Sequence, residues 1–403
     1  MKALPPEAAL VRLAPSPVDP AEAIIRVSEF CREELQPRRE FLDSAPEPPQ
    51  PYHRVFHERG LTNWWLPREY GGMGMDLASS VDMVSELAYY DAGAAFTFFI
   101  SIISTTMISL YGTEHQRELT LSGMASGGGF LSTVASEHDA GSELADIATF
   151  VRQVGGEIEL NGRKMFATNA GFADQLVVIA RNADRPHTFH AIIVPRTAPG
   201  VVVVQRWNTV GVRSAGTYQV SFDQCRLPAS NLLKGPGLEL LEIGLNPSRI
   251  LIAATAVGVA RRIRDLCMEY AKTKSLGGQT LARNPVFAAK LGQMEADIEV
   301  MRNQCLMAAG EFDAIMAMAD SGREFLRRGA LRSAMTAKLV CGQTGWRVAG
   351  CGSEMFGGLG YTGEHEISKL VRDMRYVAIV EGGEDVLRQM LYTRFVTPPF
   401  RRI

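Results

Sequence analysis

Apolar residues recur every three to four positions from Pro20 to Ala125, the spacing of helices that bury one face. A Pro-rich interruption at Ala45 to Pro51 and a loop at Leu66 to Met75 divide this block. From Phe130 to Leu233 the pattern changes to short runs rich in Val, Ile, Thr and Phe: Gln175 to Ala180, Ala191 to Val194, Val201 to Gln205 and Tyr218 to Phe222. Gly, Asn, Asp and Pro separate them, which predicts a β domain opened by Gly127-Gly128-Gly129. Long helical patterns then return, predicting helices over Leu238 to Lys274, Val286 to Ala319, Arg323 to Gly350 and Glu384 to Phe395. The expected fold class is α+β. A loose arm covers residues 1–20, a helical domain 21–127, a central β-barrel or sandwich 128–235 and a C-terminal four-helix bundle 236–403. A chain of 403 residues suits two or three such domains.

Charge and cysteine usage narrow the function. Lys plus Arg total 42 against 44 for Asp plus Glu, so bulk charge implies neither nucleic acid nor an anionic membrane as partner. The six cysteines form no C-x-x-C pair and have no His at ligand spacing, which argues against a disulfide framework and a metal site and points to a reducing, cytoplasmic compartment. Prolines in the first 20 residues interrupt any signal-peptide core. Gly93 to Tyr111 is uncharged over nearly the length a bilayer requires. Its three Ser and three Thr, without a flanking Lys or Arg cluster, favour a buried helix over a membrane span.

Candidate chemistry concentrates near the C-terminus. Glu381 is followed by Gly382 and Gly383, which carry no side chains to obstruct a flat ligand, as suits a general base. On the residues alone, Glu381 reads first as a carboxylate at the N-terminus of the helix that follows, where Glu384 and Asp385 also stand. Upstream, Gly358 to Gly363 matches G-x-G-x-x-G, but a helical pattern precedes it where a dinucleotide fold needs a strand.

Six segments in order carry a resemblance to the acyl-CoA dehydrogenase family over nearly the whole chain. Trp65-Leu66-Pro67 to Tyr70-Gly71-Gly72-Met73-Gly74 is similar to that family's N-terminal loop. Ser136-Glu137-His138-Asp139-Ala140-Gly141-Ser142-Glu143 resembles its T-E-P-x-x-G-S-D segment, and Asn161 to Asn169 (NGRKMFATN) its N-G-x-K-x-W-I-T-N segment. Leu227 to Leu233 resembles the exit from the β domain, Tyr270-Ala271 a helix end in the bundle, and Arg372-Asp373 the stretch before the base.

The resemblance implies FAD between the β domain and the bundle. Ala135 and Ser136 would contact the isoalloxazine edge, Phe166 would stand where the family usually has Trp, and Thr168 would bond near N5. Gly141, Ser142 and Gly383 would also line the cofactor, while Lys274, Gly357 and Gly358 would reach the FAD of a neighbouring subunit in a homodimer or homotetramer. Two residues apart on a strand, Phe166 and Thr168 share one face, although both also read as ordinary strand positions. Glu381 would remove the α-proton of an acyl thioester while flavin N5 accepts the β-hydride. Ser142, Arg249 and Gly382 would touch the substrate; Arg249 equally fits a surface charge at a helix start.

Departures from the family pattern cluster on the intersubunit FAD contacts. Lys274, Gly277-Gly278, Pro285 and Glu354 stand where the family has other residues, His138 replaces its Pro, and Gly383 replaces its Thr. These put FAD affinity in question and suggest specialised metabolism. The substrate is then an acyl-CoA or an acyl chain on a carrier protein; the basic stretch Gly322 to Arg332 would dock such a carrier, although a charge cluster of this kind is usually a solvated helix face. An electron-transfer flavoprotein or oxygen would take the electrons. A flavin monooxygenase and a non-catalytic binding protein on the same fold are the alternatives.

Overall fold

The computed structural model describes residues 19–48 and 51–397, so the arm expected over residues 1–20 lies almost wholly outside them. The first layer is helical: α1 (Pro20–Phe30), α2 (Arg39–Ser44), α3 (Pro51–Glu58), α4 (Leu77–Tyr90), α5 (Ala92–Phe99), α6 (Ile102–Tyr111), α7 (Glu114–Arg117) and α8 (Gly123–Gly127). Local chemistry sets these ends. Asp19 accepts from Ala21 N with Pro20 in the first turn of α1, Asp76 caps α4 through Ser79 N, and Asp91 caps α5 through Ala94 N at 2.7 Å.

The uncharged run expected as one buried helix is broken into α5 and α6. Ser101, at the break, exchanges two hydrogen bonds with the backbone of Leu131, donating to its carbonyl at 3.1 Å and accepting from its N–H at 3.0 Å. The turn is thereby tied to the first strand. By length and composition the Ala92–Tyr111 stretch and helix α9 (Gly237–Thr273) are long and apolar enough to cross a membrane, and most of each is buried inside the fold.

Seven strands form one mixed sheet: β1 (Leu131–Val134), β2 (Phe150–Val154), β3 (Glu157–Thr168), β4 (Gln175–Asn182), β5 (Phe189–Pro195), β6 (Val201–Arg206) and β7 (Thr217–Pro228). The order is β1-β4-β2-β3-β7-β6, with β5 also on β4. The β1–β4 and β2–β4 pairs are parallel and the others antiparallel.

After α9 come a hairpin of β8 (Ser275–Leu276) and β9 (Gln279–Thr280) turning on Gly277-Gly278, then α10 (Pro285–Met316), α11 (Ser321–Arg328), α12 (Arg332–Met355), α13 (Glu366–Arg375) and α14 (Glu384–Leu391). Helix α10 starts where Asn284 accepts from Val286 N and Phe287 N ahead of Pro285. The single helix expected over Arg323 to Gly350 is two, because Gly329 at φ 65° ends α11 and the chain restarts at Arg332. The G-x-G-x-x-G match forms a tight turn, Gly357–Tyr361, between α12 and α13, with no strand before it.

Helix α9 is the spine of the bundle. A Cβ at Gly258 would lie 2.2 Å from the Ser85 carbonyl of α4, an approach only glycine permits. The three regions also meet at a buried charge cluster. Lys369 of α13 sits 3.0 Å from Asp91 and also pairs with Asp373. Asp91 accepts from Ser214 Oγ, and Asp373 from Val212 N at 2.7 Å, both on the β6–β7 loop. All these side chains are buried, so one ammonium joins the helical layer, the β domain and the bundle.

Candidate active site

Glu381 lies in the turn between α13 and α14 with φ at 54°, followed by Gly382 at 96°. A left-handed conformation costs a non-glycine residue of order 1–3 kcal/mol unless its surroundings impose it. Here they do. Arg249 Nε, from α9, donates to the Glu381 carbonyl at 3.1 Å, and Lys338 Nζ, from α12, donates to the Gly382 carbonyl at 2.7 Å. The carboxylate points into the protein, where Ser248 Oγ donates to Oε1 at 2.5 Å and Oε2 is buried without a hydrogen-bond partner.

Burial pushes the Glu381 carboxyl up to about 7, against the Ser248 hydrogen bond and the nearby Arg249 and Lys338 cations. Burial likewise draws Lys338 down to about 8 and lowers Arg249. The result is a carboxylate that exchanges a proton near neutral pH, with one oxygen unengaged. Arg249 is no surface charge at a helix start: it is 3 % exposed and lies inside α9, which begins twelve residues earlier at Gly237.

The β-side residues gather at the end of β1. Lys164, wholly buried, donates to the Ala135 carbonyl at 2.6 Å and pairs with Glu137 at 2.9 Å. Glu137 in turn accepts from Ala148 N and Thr149 N, and Met165 N donates to the Ser136 carbonyl at 2.8 Å. Ala135 and Ser136 are thus fixed beside the 164–168 segment, while Gly141 and Ser142 lie exposed on the loop beyond.

A bulge interrupts β3 at Phe166, with Ala167 buried and Phe166 and Thr168 the more open positions on either side of it. The ladder slips between Lys164 and Ala167, and Phe166 takes φ 55° in the resulting bulge, so strict alternation fails there. Phe166 is 57 % exposed, with its ring 5.2 Å from Trp207 and tilted by 39°. Thr168 stays in register opposite Thr217. An open aromatic wall beside fixed peptide groups, with Trp207 Nε1 buried and unpartnered, fits a flavin ring with flat apolar faces and polar edges.

Helix α5 links the two groups of residues. Asn169, at the end of β3, donates to the Thr97 carbonyl at 2.9 Å, and the adjacent Phe96 ring lies 5.2 Å from Tyr376, in the turn leading to Glu381. Tyr376 is itself buried. Gly383 caps α14, whereas Lys274, Gly357 and Gly358 are exposed on the outside of the bundle. Within this chain those three are not brought to Glu381 by any contact.

Ser248, Lys338, Tyr376 and Trp207 are site residues that the sequence reading did not single out. Lys338 carried a signal, a lone cation on a stripe of apolar positions including Ala334, Ala337 and Cys341. Ser248 carried none beyond its adjacency to Arg249.

Comparison with known proteins agrees with the geometry. The profile of the acyl-CoA dehydrogenase N-terminal domain matches residues 22–128, that of the middle domain 132–225 and that of the C-terminal domain 235–395. A probable acyl-CoA dehydrogenase of Bacillus subtilis is 30 % identical over 372 residues, spanning 91 % of this chain and 94 % of its own. Butyryl-CoA dehydrogenase from Megasphaera elsdenii superposes with a TM-score of 0.85 at 27 % identity, covering 92 % of this chain and 96 % of that one. A chain from a structure of the electron transferring flavoprotein of Acidaminococcus fermentans superposes at 0.83 with 26 % identity, covering 92 % and 96 %. The chain belongs to the acyl-CoA dehydrogenase family. It is an FAD-dependent acyl-CoA dehydrogenase.

Proposed function

We propose that Glu381 is the base of this dehydrogenase and takes the α-proton of an acyl thioester onto Oε2. The observation that carries the reading is the buried, unpartnered Oε2 on a carboxyl raised to about 7. An α-C–H is a weak acid, so a base of raised proton affinity, held out of water, lowers the thermodynamic gap of the transfer. FAD, when bound, supplies the acceptor for the β-hydride. Ala135, Ser136, Phe166 and Thr168 would hold its ring, and Gly141 and Ser142 would flank it. Gly382 and Gly383 leave the approach to Glu381 free of side chains.

Acyl-CoA is the simpler substrate. Three arginines of the stretch considered for carrier-protein docking are engaged locally: Arg327 and Arg328 pair with Glu324, Arg328 also with Glu311, and Arg332 lies over the Phe395 ring. Arg332 opens α12, apart from Arg323, Arg327 and Arg328 on α11, so the four do not share one helix. Exposed Lys274, Gly357 and Gly358 support a homodimer or homotetramer in which they contact a neighbour's FAD. The six free cysteines agree with a cytoplasmic setting. The acceptor is an electron-transfer flavoprotein or oxygen, and the departures on the intersubunit surface favour a role in specialised metabolism.

The test is Glu381→Gln. FAD content and assembly are expected to persist, while anaerobic flavin bleaching by a panel of acyl-CoA thioesters slows by at least about 100-fold, since an amide does not accept the α-proton. Bleaching at the wild-type rate would remove Glu381 from the mechanism.

A further inference from the structure

Lys338 stands out because its charge has no place on the face it occupies. It is 1 % exposed, on a stripe of α12 otherwise made of buried Ala334, Met335, Ala337 and Cys341. A buried ammonium is costly unless its donors and charge are met. What it meets is the turn that carries the base. Its Nζ lies 2.7 Å from the Gly382 carbonyl, as Arg249 Nε lies 3.1 Å from that of Glu381. Two consecutive left-handed residues turn two successive carbonyls toward two helices, and each helix answers with one cation.

From this we infer that Lys338 is a positioning residue which, with Arg249, clamps the 381–382 peptide groups, aims the Glu381 carboxylate and favours its ionised form. The inference rests on Glu381 being the base. The groups facing the carboxylate are Ser248 and Arg249 on α9, Lys338 on α12 and Tyr376 in the preceding turn. Beyond them, Glu384 of α14 faces Lys338, and Glu242 with its partner Arg394 faces Arg249. Two cations against one ionised carboxylate oppose the effect of burial, so removing one leaves burial less opposed. The Glu381 titration then moves up from about 7 and less base is ionised at neutral pH.

Three variants separate the contributions. Lys338→Met removes donor and charge, Lys338→Gln keeps an N–H donor without charge, and Lys338→Arg keeps both. Two readouts apply: the pH profile of anaerobic flavin bleaching, and the Glu381 carboxyl band in infrared difference spectra taken against Glu381→Gln. The Met and Gln variants are expected to shift both titrations upward by about one pH unit, roughly a fivefold loss of rate at pH 7 for a group that starts half ionised there. Lys338→Met should also lose rate on the alkaline plateau, where Lys338→Gln retains it, and Lys338→Arg should restore the wild-type midpoint of Glu381.

Unshifted titrations in folded, FAD-loaded Met and Gln variants would overturn the clamp. If neither neutral variant folds, the wild type and Lys338→Arg decide. Burial draws the Lys338 ammonium down to about 8, so the wild-type Glu381 carboxylate band is expected to carry a second, alkaline inflection that vanishes with arginine; its absence from the wild type, or its persistence in Lys338→Arg, would overturn the inference. If no thioester bleaches the wild type, the proposed reaction fails while the infrared titration still judges the clamp.

Discussion

At the scale of the residue, the two oxygens of Glu381 have unlike duties: Oε1 is held by Ser248 while Oε2 is left open. The Ser248 hydrogen bond favours the carboxylate, and a bond to a charged group contributes about 1.5–3 kcal/mol. Ser248→Ala is therefore expected to raise the carboxyl further above its unfolded value, moving the rise of the bleaching rate from near 7 to higher pH by about one to two units. The rate at neutral pH falls and recovers in alkaline buffer. A profile that keeps its midpoint but loses height at every pH would show that the hydroxyl only orients the carboxylate. Glu381 could be singled out in the sequence because its pattern is local, a carboxylate beside two glycines, although that pattern also fits a helix N-terminus. Ser248 and Lys338 could not be, because they reach the Glu381 turn across 133 and 44 residues by way of the bundle's packing. The left-handed backbone of Phe166 was not legible for another reason: a bulge is a register event between two strands, and neither strand records it alone.

At the scale of the element, long helices were legible nearly end to end, since an apolar stripe repeated over many turns leaves little ambiguity in α9 or α10. Breaks were not. Gly329 splits α11 from α12 and Ser101 splits α5 from α6 through tertiary bonds or a single positive φ, and the periodicity on either side stays helical. Helix α9 carries both Ser248 and Arg249, so its seat on α4 sets the surroundings of Glu381. Two effects compete in Gly258→Ala. Alanine gains about 1 kcal/mol of helix propensity, but its Cβ meets the Ser85 carbonyl at 2.2 Å, and backbone on both helices cannot step aside cheaply. The clash wins, with an expected net loss of about 1–3 kcal/mol and a fall of several degrees in the unfolding temperature of the FAD-loaded protein. An unchanged or raised midpoint would mean that α9 and α4 have slack at this crossing.

At the scale of the whole molecule, the order of a helical layer, a sheet and a bundle was readable because each region has its own period, and six motifs fell along it in sequence. What joins the regions was not, because Asp91, Ser214, Lys369 and Asp373 come from three separate stretches. Lys369 is the one cation between two buried carboxylates of that cluster. Replacing it by Met keeps the volume of the stem and leaves Asp91 and Asp373 facing each other without compensation. Breaking a buried ion pair from one side costs about 3–5 kcal/mol, which is the loss expected near neutral pH. The pH dependence carries a definite sign. Without the ammonium, burial and mutual repulsion raise at least one of the two carboxyls above its unfolded value near 4, so the native variant holds a proton that the unfolded chain has released. Its deficit relative to wild type is then largest at pH 7 and shrinks as pH falls toward about 4, where both states are protonated. Urea unfolding of wild type and Lys369→Met at pH 7 and pH 5, followed by tryptophan fluorescence, measures that difference. A deficit that stays constant between the two pH values would mean that Lys369 acts through its packed stem, and that the three regions are held together by apolar contact instead of by this charge.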